Sequence, residues 1–376
     1  MSPGTHAFVR LLPSLGLCFA FAAGCSAAAP APRTEPTVAA TAAPTDEAPP
    51  PDTDAMAEPP APTFEALRTA AMACPTLEDG SFDTCEALDT WGSSDQPAFA
   101  DGKANDPLLQ MLADKDPKAR ILAAIQLRMT LHEENLDGKT TDRVLAALAA
   151  EQAPAAIEPM AAMVTSQNLV KVGKLARLIE IAKAHPSADA KVEIMLHVSF
   201  FNRDKALLDW AVASAKDSSH QLRNAALAIA YDHTKIDAKR ACKLIDDFRR
   251  DKDGFVKHRA HANLARRPEC KDHFAAMVGD LERAPLEDIS KGGVHFEDGE
   301  ALVSLCKITD LDTKLRPRVA KAGARIASSA KVSDNVRVYG LEATVACDPA
   351  AGKALAEKLS ADPNARVSSR AKELAK

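Results

Sequence analysis

One short pattern recurs along this chain and constrains its fold more than any other feature: Asp or Ser, two residues, an apolar residue, then usually Arg or Lys. It opens Asp116-Pro-Lys-Ala-Arg120 and Asp362-Pro-Asn-Ala-Arg366, with related copies at Asp189-Ala-Lys-Val-Glu193, Ser219-His-Gln-Leu-Arg223, Asp253-Gly-Phe-Val-Lys257 and Ser333-Asp-Asn-Val-Arg337. Asp and Ser are strong helix N-caps, and proline is tolerated at the first helical position. Behind each cap, apolar residues return at helical spacing, as in Val192, Met195, Leu196, Ser199 and Phe200, or Leu222, Ala225, Ala226, Ile229 and Ala230. The caps lie 73, 30, 34, 80 and 29 residues apart, and each long gap has room for a degenerate copy. One is expected around Gln152 to Ala156. The other is expected near "TDLDTKLRPRV", with "LEDISKGGVHFEDGE" as a looped insertion. A period of roughly 30 to 37 residues with two helices per unit predicts an all-α chain, a solenoid of stacked helical hairpins. Composition agrees: aromatic residues are only 4% of the chain, and alternating β-branched runs are scarce.

The repeated unit resembles the HEAT repeat. There the first helix reads like "LLQMLAD" (Leu108 to Asp114) and the second begins Asp-Pro-x-Ala/Val-Arg. The resemblance spans about residues 100 to 376, and armadillo-like or tetratricopeptide-like hairpins share the same period. It implies that the ladder Arg120, Arg223, Arg337 and Arg366, with Lys257 in the same position, bonds to repeated aspartates such as Asp116, Asp253 and Asp362 and ties neighbouring units together. The competing reading is a solvated basic stripe for an acidic partner. The structural ladder is preferred, because aspartates recur with the arginines and charge-assisted bonds are strong.

The amino terminus has a different character. Residues 1–24 carry one formal positive side chain, Arg10, then the apolar core LLPSLGLCFAFAA and small residues, the layout of a signal peptide. Ala22-Ala23-Gly24-Cys25 resembles the lipobox of bacterial lipoproteins, with Ala22 where leucine is usual. The resemblance implies cleavage before Cys25, diacylglyceryl and fatty acyl (palmitate-type) modification there, and attachment to the membrane through that anchor alone. Ser26 next to it resembles the outer-membrane form of the sorting rule. From Ser26 to Pro62, 37 residues include 12 Ala and 10 Pro and no aromatic residue. Such a segment cannot bury enough surface to fold and is expected to be a disordered tether over 25–62. Residues 63–98 read as a short helical hairpin stapled by a disulfide, and 99–376 as the HEAT-like solenoid, after a loop over 92–107.

The chain carries a formal net charge of −5, concentrated in the tether, so the folded body is near neutral. That argues against general nucleic-acid binding, which needs a basic field. Once Cys18 leaves with the leader and Cys25 takes lipid, six cysteines remain: Cys74, Cys85, Cys242, Cys270, Cys306 and Cys347. An even set in an exported chain is read as disulfides, with fifteen pairings open. Sequential pairing is the expectation, because Cys74 and Cys85 flank the turn-rich PTLEDGSFDT and the other two pairs are about one repeat apart.

No phosphate-binding glycine loop, nucleophile elbow or metalloprotease motif is present. Two constellations have metal-ligand character. In "HRAHANLARRPECKDH", His258, His261, Cys270 and His273 have types and spacings that suit zinc. A polar helix face followed by a disulfide explains the same residues. In "HFEDGE", His295, Glu297, Asp298 and Glu300 are cation-ligand types, but acids in a first helical turn are favoured by the helix dipole anyway. Neither cluster is assigned a metal, and no cofactor or catalytic residue is assigned.

The sequence thus leads to a lipid-anchored envelope scaffold that binds an unidentified protein partner, and to no enzyme and no nucleic acid. The alternative is an envelope metal- or ligand-binding protein, or an enzyme accessory, using the 258–273 or 285–300 region.

Overall fold

The computed structural model describes residues 61–93, 96–99, 102, 104–131, 137–164, 172–201, 204–287 and 293–376, without the side chains of 164 and 199–201. The leader, Cys25 and all but the last two residues of the tether lie outside the described residues, as do the side chains of Ser199 and Phe200. Among the described residues no helix is long and apolar enough to cross a membrane.

The chain enters through α1 (Phe64–Met72) and α2 (Glu86–Trp91), and a Cys74–Cys85 disulfide closes the turn between them. Thr63 caps α1 by accepting the Ala66 N–H. Trp91 ties this segment to the first repeat: it is fully buried, its Nε1 donates to the Leu122 carbonyl at 2.8 Å, and its ring meets Phe99 edge-on at 5.0 Å. The stapled hairpin is therefore packed on the solenoid.

Eight helical hairpins come next among the described residues. They pair α3 (Asn105–Met111) with α4 (Pro117–Thr130), α5 (Gly138–Ala150) with α6 (Pro154–Val164), α7 (Leu175–Ala184) with α8 (Ala188–Phe201), and α9 (Lys205–Ser214) with α10 (His220–His233). They continue with α11 (Ala238–Phe248) and α12 (Gly254–Ala265), α13 (Phe274–Arg283) and α14 (Phe296–Cys306), α15 (Leu315–Ala327) and α16 (Asp334–Cys347), and α17 (Pro349–Leu359) and α18 (Ala365–Leu374). A 3₁₀ turn at Pro268–His273 connects α12 to α13. The result is an all-α, two-layer solenoid. Each second helix packs on the next from α4 to α18, whereas the first helices touch one another more sparsely.

Leucine and alanine produce this geometry. Each hairpin buries an apolar stripe, and one core runs from Leu67 to Cys347, followed by a smaller cluster around Leu341, Leu359 and Val367. Small residues allow close approach at the α15–α16 crossing. A Cβ on Gly340 would lie 2.6 Å from the Gly323 carbonyl, so only glycine fits there at this separation.

Several boundaries differ from the sequence expectation. Ser187, not Asp189, caps α8, with its Oγ accepting the Ala190 N–H. Asn364, not Asp362, caps α18, accepting the Arg366 and Val367 N–H groups. The degenerate copy near Gln152 is α6. The other hidden second helix is α14, inside the stretch read as an insertion, while "TDLDTKLRPRV" leads into the first helix α15. It escaped the pattern because His295 does the capping: its ring accepts the Glu297 N–H while Asp298 reaches back to the His295 N–H at 2.9 Å.

Candidate functional site

The ladder residues are the first candidates. Arg120 on α4 grips both oxygens of Glu151, through Nε at 2.7 Å and Nη2 at 2.9 Å. Its Nη1 meanwhile donates to the Asp114 and Lys115 carbonyls just before its own helix. Arg223 on α10 repeats this arrangement with Asp251 at 2.7 and 2.8 Å and the Asp217 and Ser218 carbonyls. Arg337 on α16 holds Asp362 through both Nη atoms and donates Nε to the Ala327 carbonyl at 3.0 Å. Glu151, Asp251 and Asp362 each stand three residues ahead of the next second helix, and each also accepts the backbone N–H two residues on. All three carboxyls lie below their ordinary pKa values. Burial opposes this for Glu151 and Asp251, but their arginines outweigh it; at Asp362 the bond from Arg337 is the leading cause.

The partners of Arg120 and Arg223 are thus not the cap aspartates Asp116 and Asp253. A cap carboxylate is already engaged by the N–H groups of its own first turn, Lys118 for Asp116 and Val256 for Asp253. Glu151 and Asp251 were not singled out in the sequence. Their signal was an acid three residues before α6 and α12, as before α18. Arg366 is exposed and has no side-chain partner among the described residues: it lies two residues after its cap Asn364, whereas Arg120, Arg223 and Arg337 lie four after theirs, so it falls outside the ladder position. Lys257 occupies the ladder position on α12 but likewise has no ion-pair partner among the described residues. The position three residues ahead of α14 is Gly293, so the rung has neither arginine nor acid.

At that missing rung the structure brings together two residues of the first constellation and one of the second. His258 and His261, three residues apart on one face of α12, meet Asp298 in the first turn of α14. His261 Nδ1 lies 2.7 Å from Asp298 Oδ1, and His258 Nδ1 lies 2.7 Å from Oδ2. The first contact is a well-aligned hydrogen bond. The second is close but poorly aligned for an N–H donor. His258 and His261 are 3% exposed and Asp298 is fully buried. Burial pushes the Asp298 carboxyl up, but the two imidazoles outweigh it and hold the group well below the usual carboxylate range. The other ring nitrogen of His261, Nε2, is buried without a hydrogen-bond partner and lies 4.0 Å from Asp280 Oδ2. Asp280 is held by Arg249 and by Arg283 at 3.1 Å.

Of the remaining members, His295 stays beside the cluster, its ring centroid 5.6 Å from that of His258. Cys270 is bonded to Cys242, and His273 faces Asp246 at 3.3 Å. Glu300 pairs with Arg266. Glu297 buries Oε2 without a hydrogen bond, 3.5 Å from His295 Nδ1, and burial raises its pKa. His295 packs against Phe296, and burial lowers its pKa. The third disulfide joins Cys306 to Cys347.

A cavity of about 280 Å³ opens over the His258–His261–Asp298 cluster, with Arg249, Arg250, Lys257 and Asp280 among its lining residues. A larger cavity of about 700 Å³ near α3 and α5 is lined half by Leu and Ala side chains; its Arg120, Glu151 and Arg143 are in ion pairs and Asp114 accepts the Asp116 N–H.

No protein-family model matches the chain. No curated protein matches it either. Among solved structures, it is similar to an engineered protein known from a crystal structure, at 17% identity over 72% of this chain and 96% of that one, with a TM-score of 0.28. It is also similar to a designed armadillo repeat protein, at 14% identity over 72% of this chain and 97% of that one, with a TM-score of 0.26.

Proposed function

We propose that this chain is a protein-interaction scaffold of a bacterial cell envelope, anchored through lipid on Cys25 and carried beyond the bilayer by the 25–62 tether, with the outer membrane favoured over the inner. The observation that carries the interaction role is the continuous layer of second helices from α4 to α18. Its three complete arginine rungs are used between repeats, so the stack holds its shape and leaves its surface for a partner. Stacked repeats of this kind present long surfaces suited to protein docking. Phe255 and Phe296, 47% and 45% exposed near the starts of α12 and α14, are apolar positions on that layer. The proposal assigns the chain no catalytic role and no nucleic acid.

Two arms test it. A photo-crosslinking side chain at Phe255 or Phe296 should join the protein to one discrete envelope protein in living cells, and Cys25→Ser should move it from the membrane to the soluble fraction. A correctly folded protein that forms no adduct would refute the scaffold reading, and unchanged fractionation of the Cys25→Ser protein would refute the anchor.

A further inference from the structure

We infer that His258, His261 and Asp298 are the protein ligands of a divalent transition-metal site, zinc by the chemistry of its donors. Two imidazole nitrogens and one carboxylate oxygen are the donor set of zinc sites that keep a position open, and nitrogen donors select such ions over calcium or magnesium. One ligand atom from each residue lies within 4.8 Å of the others.

The site is built before any ion arrives. α12 holds the two rings one turn apart, and the capping box of α14 fixes Asp298 through the His295 N–H. All three side chains are at least nine-tenths buried. Supporting hydrogen bonds of this kind orient metal ligands and keep them in place.

The hydrogen bonding is incomplete in the way an ion would remedy. His261 Nε2 has no partner, and His258 Nδ1 sits at 2.7 Å from its carboxylate without an aligned bond. Buried polar atoms without partners are rare in folded proteins and call for a cause. An ion held by His258 Nδ1, Asp298 and a ring nitrogen of His261 takes up the His258 lone pair, which has no aligned proton contact, and replaces the present contacts to that carboxylate.

Access points the same way. Lys257 and Gly293 stand where the three complete rungs place Arg and an acid, and the cavity of about 280 Å³ opens beside Lys257, giving the ion one side towards solvent. Asp298 supplies the carboxylate for the ion, because Asp280 is already held by Arg249 and Arg283. This inference does not depend on the scaffold reading, since partner cross-linking is measured without metal.

The test uses the full chain, stripped with a chelator and titrated with zinc and, separately, with cobalt. One equivalent of zinc should bind, the cobalt adduct should show the visible bands of a four- or five-coordinate ion, and zinc should move the His258 and His261 ring signals in NMR spectra most. Asp298→Asn and His261→Gln should weaken zinc by about 100-fold or more, beyond the effect of losing a supporting contact. His273→Gln should bind as the parent does, because that ring faces Asp246. A wild-type chain that takes up no zinc and shows no cobalt bands overturns the inference even if the variants fail to fold. Zinc retained by folded Asp298→Asn, or lost from folded His273→Gln, overturns it as well.

Discussion

Arg120 and Glu151 are 31 residues apart in sequence and form a two-pronged ion pair between successive second helices, with the Glu151 side chain fully excluded from solvent. The same connection recurs at 28 residues between Arg223 and Asp251 and at 25 residues between Arg337 and Asp362. Repeats of unequal length thus carry one geometry.

Removing one end of such a pair leaves the other buried and unpaired. Arg120→Ala should cost about 1 to 3 kcal/mol and lower the melting temperature by several degrees. Arg366→Ala, at the same place in the motif but exposed and unpaired, should stay within about 0.5 kcal/mol of the parent. Thermal unfolding of the two proteins side by side checks the contrast. Equal losses would refute this assignment of the ladder.

The acid limb of stability follows from the same carboxylates. Glu151, Asp251, Asp362 and Asp298 have folded-state pKa values below their unfolded ones, so the unfolded chain takes up protons first as pH falls. Their contribution is complete above about pH 5 and is lost progressively as pH falls through about 4 and below. Urea unfolding from pH 7 to pH 3 should show this decline. Asp362→Asn should lower stability at pH 7 and flatten the decline, and an unchanged slope would count against the pairing with Arg337.

Glu297 behaves in the opposite sense. Burial raises its folded-state pKa, so its ionised form is disfavoured in the fold and stability is lost as pH rises through the carboxylate range. Glu297→Gln should therefore raise the melting temperature at pH 7 and make little difference near pH 3. Calorimetry at the two pH values decides it, and a destabilised variant at pH 7 would contradict the assignment.

Helix contact at Gly323 and Gly340 leaves no space for a methyl group. Gly340→Ala has the better intrinsic helix propensity, yet the new Cβ meets the Gly323 carbonyl and must push α15 and α16 apart. A loss of about 1 to 3 kcal/mol is expected, read by chemical denaturation. A neutral or stabilising effect would show that the two helices separate freely.

Much of the fold was legible because its causes are local. Asp116, Ser219, Asp253 and Ser333 all stand at real helix starts, and the side chains of the first three accept N–H groups two or three residues away. α14 was hidden for the same reason: His295 with Asp298 performs the capping with residues outside the usual set. The metal-ligand halves were visible as His258-x2-His261 and as HFEDGE, but not their union.

By itself the sequence determined the helices, the two-helix period and hence an all-α stack, because hydrophobic spacing and capping are short-range. Only tertiary structure decided the partners. His261 meets Asp298 across 37 residues and Arg120 meets Glu151 across 31, so each contact depends on where one repeat lies against the next. That register is set by packing along the whole helix interface and by connections of unequal length. It also separated Cys270 and His273 from the two histidines they follow in sequence, and placed Asp298 beside those histidines instead.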